Sequence, residues 1–236
     1  DKGYRRVDTA ALYGNEAEVG EGIRTSGVAR EDLFVTTKIW NDRQGYDSAL
    51  EAIDESLTRL DIDYVDLLLV HWPCPKQDKF VETWSAFQKA MEGGKIRGIG
   101  VSNFQPAHLE KLIAAGGTIP ALNQVEMHPG LQQSDVRAFD AKHGIATEAW
   151  SPLARGKFAD NEQLESIASA HNKSVTQVII RWHIQLGNLV IPKTSNADRL
   201  AENIDVFDFE LNQEQMKTFA SLDSGMRTGL NPDEFG

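Results

Sequence analysis

The chain has 236 residues, 41% of them hydrophobic, which is enough to bury the core of one α/β domain and gives no reason to divide it. Its 24 basic and 35 acidic residues leave a net charge of −11, which repels nucleic-acid phosphates and anionic membrane surfaces, so neither is expected as a partner. No run approaches the ~20 apolar residues of a membrane helix, no basic-then-apolar leader is visible, and the single cysteine, Cys74, excludes an intrachain disulfide; a soluble, cytoplasmic monomer is expected.

The first strand candidate, "YRRVDTA" (4–10), carries Asp8 and leads through Tyr13 into a helix. "LFVTTKI" (33–39) brings Lys38, and "DSALEAIDESLTRL" then places Ala49, Ile53, Ser56, Leu57 and Leu60 on one helical stripe. "VDLLLVH" (65–71) ends on His71, "GIGVSN" (98–103) on Ser102 and Asn103, and "ALNQVEM" (121–127) carries Gln124. "ATEAW" (146–150) ends on Trp150 beside Ser151, a nearly one-sided apolar helix "SVTQVIIRWHIQLG" follows, and "LVIPK" (189–193) ends on Lys193 and Thr194. Gly27, Gly144 and Gly187 stand where helices should end.

Strands alternating with helices predict a parallel sheet, either an open doubly wound one or a (β/α)8 barrel. An open sheet uses the strands flanking one switch point, whereas in a barrel every strand end faces one mouth. Polar residues end all seven predicted strands, which favours the barrel over residues 1–236 as one domain. The count is one strand short of eight.

A tyrosine is a weak acid near neutral pH unless a cation favours its phenolate, and Lys38 is the candidate cation. Asp8 would hold the ammonium, and His71 would orient a carbonyl oxygen. That set suits protonation of an oxygen gaining negative charge, as hydride addition to a carbonyl requires. The plainer reading stays open: a structural ion pair between Asp8 and Lys38, a helix-start aromatic and a satisfied core histidine.

No G-x-G-x-x-G follows the first strand, which argues against a Rossmann site. "IPKTSNADRLAENIDVF" (191–207) instead places Lys193, Thr194 and Arg199 around a helix start near Ser195 or Asn196, an arrangement suited to a phosphate; a solvated cationic surface is the alternative. Glu126 and His128 in "VEMHP" raise a metal site with Asp8 and His71, but no H-x-H or H-E-x-x-H accompanies them and Lys38 would oppose an ion, so no metal is expected. The absence of G-x-S-x-G weakens a serine hydrolase.

Gly3, Tyr4, Arg5, Asp8, Tyr13, Glu16 and Gly20 together resemble a signature of the aldo-keto reductase superfamily, and "TTKIW", "VHWP", "GVSNF", "NQVEMHP" and "IPKTS....R..EN" follow in family order. The resemblance implies a (β/α)8 barrel that binds NADPH without a Rossmann fold, with Asp8, Tyr13, Lys38 and His71 as catalytic tetrad and Tyr13 as general acid. It implies that Ser102, Asn103 and Gln124 hold the nicotinamide carboxamide and Trp150 stacks on the ring. Ser151 and Leu153 would approach the pyrophosphate, Lys193, Thr194 and Arg199 the 2′-phosphate, and Glu202 with Asn203 the adenine. Trp40 and Trp72 would line the pocket of a small carbonyl substrate. "EAWSPLARGK" and "NIDVFDFELN" look most like prokaryotic 2,5-diketo-D-gluconate reductases. A cofactor-binding barrel serving as a sensor or structural subunit is the alternative.

Relatives carry a hairpin and a first βα unit upstream of the stretch that opens this sequence. The expectation is that the sequence is a fragment of a longer product or that some upstream residues are unresolved, rather than that this is a barrel lacking a strand, which would have two unpaired edges.

Overall fold

A computed structural model describes residues 2–236. Seven strands form one parallel sheet in chain order: β1 (Arg6–Asp8), β2 (Phe34–Ile39), β3 (Leu67–Val70), β4 (Ile99–Ser102), β5 (Leu122–Glu126), β6 (Ala146–Trp150) and β7 (Leu189–Val190). Each lies inside a strand expected from the sequence. The sheet curls as an incompletely closed (β/α)8 barrel, and among the described residues β1 and β7 do not pair with each other.

Helices return the chain between strands: α1 (Glu16–Thr25), α2 (Tyr46–Leu60), α3 (Phe80–Glu92), α4 (Pro106–Ala114) and α5 (Ser134–Lys142). Then α6 (Glu162–His171) and α7 (Val175–Gln185) lie between β6 and β7, and α8 (Ala197–Ile204) and α9 (Gln213–Ser221) follow. No helix among the described residues is long and apolar enough to cross a membrane. The α2 stripe buries Ala49, Ile53, Ser56 and Leu60 as its spacing predicts. In α7, Ser174 caps the start through Gln177, and Gly187 leaves the last turn at φ 80°.

The pleat divides the core. Leu68 and Val70 of β3 pack outward with Trp84 and Phe87 of α3, while Leu67 and Leu69 pack with Leu122 in a separate cluster. Gly100 is needed beside that cluster, because a Cβ there would lie 2.7 Å from the Leu122 carbonyl oxygen and 2.8 Å from Leu69 Cδ2. Burial of each large side chain such as Phe87 contributes roughly 2 to 3 kcal/mol.

The registers carry function as well as packing. Ser102 pairs with Gln124, Gln124 with Glu148, and Glu126 with Trp150, so polar residues form rows across β4, β5 and β6.

Candidate active site

Asp8 and Lys38 belong to neighbouring strands, and their side chains join in an ion pair at the strand ends. Lys38 is fully buried and also donates to the Thr9 carbonyl at 2.9 Å. A buried ammonium needs such partners. Tyr13 sits in a single-turn helix (Ala11–Tyr13) that Gly14 closes at φ 64°. Its ring lies 5.5 Å from Lys38 Nζ and packs edge-on to His71 at 5.9 Å. The structure therefore brings Asp8, Tyr13, Lys38 and His71 together.

The signature residues around Tyr13 have physical work to do. Buried Glu16 accepts from Thr37 Oγ1 at 2.6 Å and Arg59 Nε at 2.7 Å, tying the start of α1 to β2 and α2. Gly20 lets α1 meet the end of α2, since a Cβ there would lie 2.0 Å from the Leu60 carbonyl oxygen.

The electrostatics differ from one expectation. Tyr13 is 53% exposed, yet partial loss of water at its phenol and then the Asp8 charge push the group up to about 12, and Lys38 does not offset them. Asp8 offsets the lysine field before it can favour a phenolate. His71 is pushed down to about 3 by burial and then by Lys38, so its imidazole is neutral near pH 7. Its Nδ1 is buried without a partner among the described residues.

Behind the tetrad, Ser102, Asn103 and Gln124 are buried and mutually oriented. Asn103 donates to the His71 carbonyl at 2.9 Å and to Ser102 Oγ at 3.1 Å; Ser102 donates to the Gln124 carbonyl at 2.8 Å. Trp150, expected only as a stacking surface, also donates its indole N–H to Asn103 Oδ1 at 2.8 Å. Ser151 follows at φ 49°, and Leu153 is half-buried in the same turn.

Past β7, Lys193 and Arg199 are exposed, and neither forms an ion pair among the described residues. Thr194 Oγ1 accepts from the Asn196 N–H at 3.1 Å, and Asn196 caps α8 by accepting from Asp198 and Arg199. Asn203 is buried, and Glu202 accepts from the Ser174 hydroxyl, which occupies part of the carboxylate expected at the adenine.

Trp40 lies 5.0 Å from His71, and Phe235 packs against Trp72 at 4.8 Å and Trp40 at 6.2 Å. The tail is fastened at Glu126, which accepts from Thr228 N at 2.5 Å, Thr228 Oγ1 at 2.6 Å and Gly229 N at 3.1 Å. His128 Nε2 is 3.2 Å from the same carboxylate. Burial raises the Glu126 pKa, but His128 and the tail donors outweigh it and hold the group at about 2. No group of three or more potential metal ligands occurs among the described residues. A separate cleft of 770 Å³ lies near the N-terminal ends of the strands, between Arg6, Phe34, Leu67 and Gly98, away from the tetrad.

A profile described as the Aldo/keto reductase family matches residues 1–224. The chain belongs to the aldo/keto reductase family. It is 54% identical over 99% of its length to an aldo-keto reductase of Mycolicibacterium smegmatis, covering 85% of that protein. It is 53% identical over 98% of its length to the glyoxal reductase of Bacillus subtilis, covering 83% of it. A Gox0644 mutant solved in complex with NADPH superposes with a TM-score of 0.95 at 45% identity, over 100% of this chain and 86% of that one. The resemblance to 2,5-diketo-D-gluconate reductases has a weaker counterpart, a structure titled as a putative 2,5-diketo-D-gluconic acid reductase B, with 38% identity and a TM-score of 0.94 over 99% of this chain and 85% of that one.

The sequence reading missed several residues of this aldo-keto reductase site. Arg6 and Glu148 meet inside the barrel at 2.8 Å, and the one available signal was alternation, since each stands two positions before a site residue on its strand. Phe235 and Thr228 lie in an aperiodic tail that offered no such signal.

Proposed function

We propose that this protein catalyses NADPH-dependent reduction of a small aldehyde, ketone or keto-sugar acid to the alcohol. The observation that carries the reading is the convergence of Asp8, Tyr13, Lys38 and His71 at one end of the strands. The donor set also fits the cofactor. The buried amides of Asn103 and Gln124 suit a carboxamide, and two exposed cations at the start of α8, without an ion pair among the described residues, suit a phosphate.

When bound, NADPH supplies the hydride that reaches the carbonyl carbon. Tyr13 donates its phenolic proton to the carbonyl oxygen as that oxygen becomes an alkoxide. The raised phenol pKa keeps this proton in place at working pH. Neutral His71 orients the carbonyl oxygen through a ring N–H without placing a second positive charge beside Lys38. Asp8 holds Lys38 in position beside the Tyr13 ring.

Trp40, Trp72 and Phe235 make an aromatic wall that suits a compact substrate. Glyoxal, methylglyoxal and 2,5-diketo-D-gluconate represent the substrate range suggested by the names of similar proteins. Lys193, Thr194 and Arg199 would read the 2′-phosphate, Ser151 and Leu153 the pyrophosphate, and Asn203 with Glu202 the adenine.

The test is consumption of NADPH with a panel of aldehydes, α-dicarbonyls and keto-sugar acids. Oxidation with at least one class supports the reading; tight NADPH binding with no oxidation across the panel would replace it with a non-catalytic cofactor-binding barrel.

A further inference from the structure

Gln124 lies in register with Glu148 on the next strand, and its side chain bridges two carboxylates. Its Nε2 donates to Asp8 Oδ2 at 2.8 Å and to Glu148 Oε2 at 2.7 Å. A primary amide has two N–H donors, and both are spent on these oxygens. Turning the amide over would set its carbonyl oxygen against two acceptor-only groups, so one orientation alone is satisfied. Oε1 then faces away as an acceptor, and no group among the described residues donates to it.

Glu148 is an expensive residue to place here. Its side chain is completely buried, which raises its pKa, the Asp8 charge adds to that rise, and Arg6, the Gln124 amide and Lys38 oppose it in favour of the carboxylate. Arg6 pairs with it, Nη2 donating to Oε2 at 3.1 Å and Nη1 standing 2.8 Å from Oε1. The resulting string, Arg6–Glu148–Gln124–Asp8–Lys38, places one amide between two ion pairs. Packing alone does not ask for a carboxylate at this position. Fixing the sense of an amide does, because a deprotonated carboxylate accepts and never donates.

We propose that Glu148 is a positioning residue that locks the Gln124 amide, so that Oε1 is presented as an obligate acceptor to the carboxamide NH2 of the nicotinamide cofactor. This rests on the cofactor reading above. Asp8 contributes to the same lock, but its replacement would also release Lys38. Glu148 touches none of the reacting groups, so its replacement isolates the effect.

The experiment compares dissociation constants of NADP⁺ and its 3-acetylpyridine analogue, measured by tryptophan fluorescence. The analogue carries a methyl group in place of the NH2 and has no donor for Oε1. The wild-type protein should prefer NADP⁺ by about tenfold, the size of one hydrogen bond. In Glu148→Gln the neighbour can donate or accept, Asp8 alone still holds the amide, and the preference should fall to about threefold. Because that variant leaves Arg6 unpaired, Arg6→Met/Glu148→Gln is measured beside it, with a thermal melt of each, and should lose the preference in the same way.

A wild-type preference that survives intact in either folded variant would overturn the lock and leave the cofactor reading standing. A wild-type protein that binds both compounds equally would overturn the contact between Oε1 and the carboxamide, and the lock with it, while leaving cofactor binding in place; one that binds neither would overturn the cofactor reading itself.

Discussion

Replacing Asp140 by asparagine should remove a pH-dependent weakness of the fold. Asp140 is fully buried on α5, where it accepts from Thr147 Oγ1 at 2.9 Å and from Asn123 Nδ2 at 3.4 Å. These donors do not compensate burial, which raises its carboxyl from 3.8 to about 7. The folded state therefore holds a proton that the unfolded chain releases near pH 4, and stability falls as pH rises from about 4 to about 7. Using those two values, the penalty grows from about 2 kcal/mol at pH 5 to about 4 kcal/mol at pH 8. Asp140→Asn keeps an acceptor for Thr147 and cannot ionise. Urea unfolding of both proteins at pH 5 and pH 8 should show the variant gaining about 2 to 3 kcal/mol on the wild type over that interval. The difference at either single pH also contains altered hydrogen bonding, so the test is its change between pH 5 and pH 8, and no change would refute the buried, protonated carboxyl.

Three further outcomes follow from the site. With the Tyr13 phenol raised to about 12, kcat/KM for carbonyl reduction should not bend between pH 8 and pH 10; a fall centred below pH 9.5 would mean that the phenol is not held protonated. Lys193→Ala with Arg199→Ala should raise the KM for NADPH more than tenfold and that for NADH less than twofold, and equal effects would remove these cations from the 2′-phosphate. In Gly229→Ala the new Cβ would lie 2.5 Å from Trp150 Cη2 and 3.1 Å from Glu126 Oε2, so the tail must shift. The KM for the carbonyl substrate should rise about tenfold with the melting temperature nearly unchanged; an unaltered KM would separate the tail from the pocket.

The parts of this molecule legible in sequence are those governed by local repetition. The continuous apolar run of β3 marks a strand buried on both faces and the 3.6-residue stripe of α2 specifies one buried face, and the structure follows both. Polar residues at strand ends were legible because a barrel turns every strand end toward one mouth. Glu148 and Arg6 were not, because their meaning comes from a contact 142 residues apart in sequence. The fastening of Thr228 to Glu126 joins a strand to a tail with no period of its own, 102 residues away. The tyrosine environment was misjudged for a related reason: the sequence named Lys38 as a neighbour but not the balance of distance, burial and opposing charge that sets the phenol's acidity.

The central claim is that Tyr13 delivers the proton to the carbonyl oxygen, and Tyr13→Phe tests it with the loss of one oxygen atom. Measured with the best carbonyl substrate of the panel, turnover should fall by at least about a hundredfold while the dissociation constant for NADPH stays within about twofold of wild type. Turnover retained to within about tenfold would contradict the account.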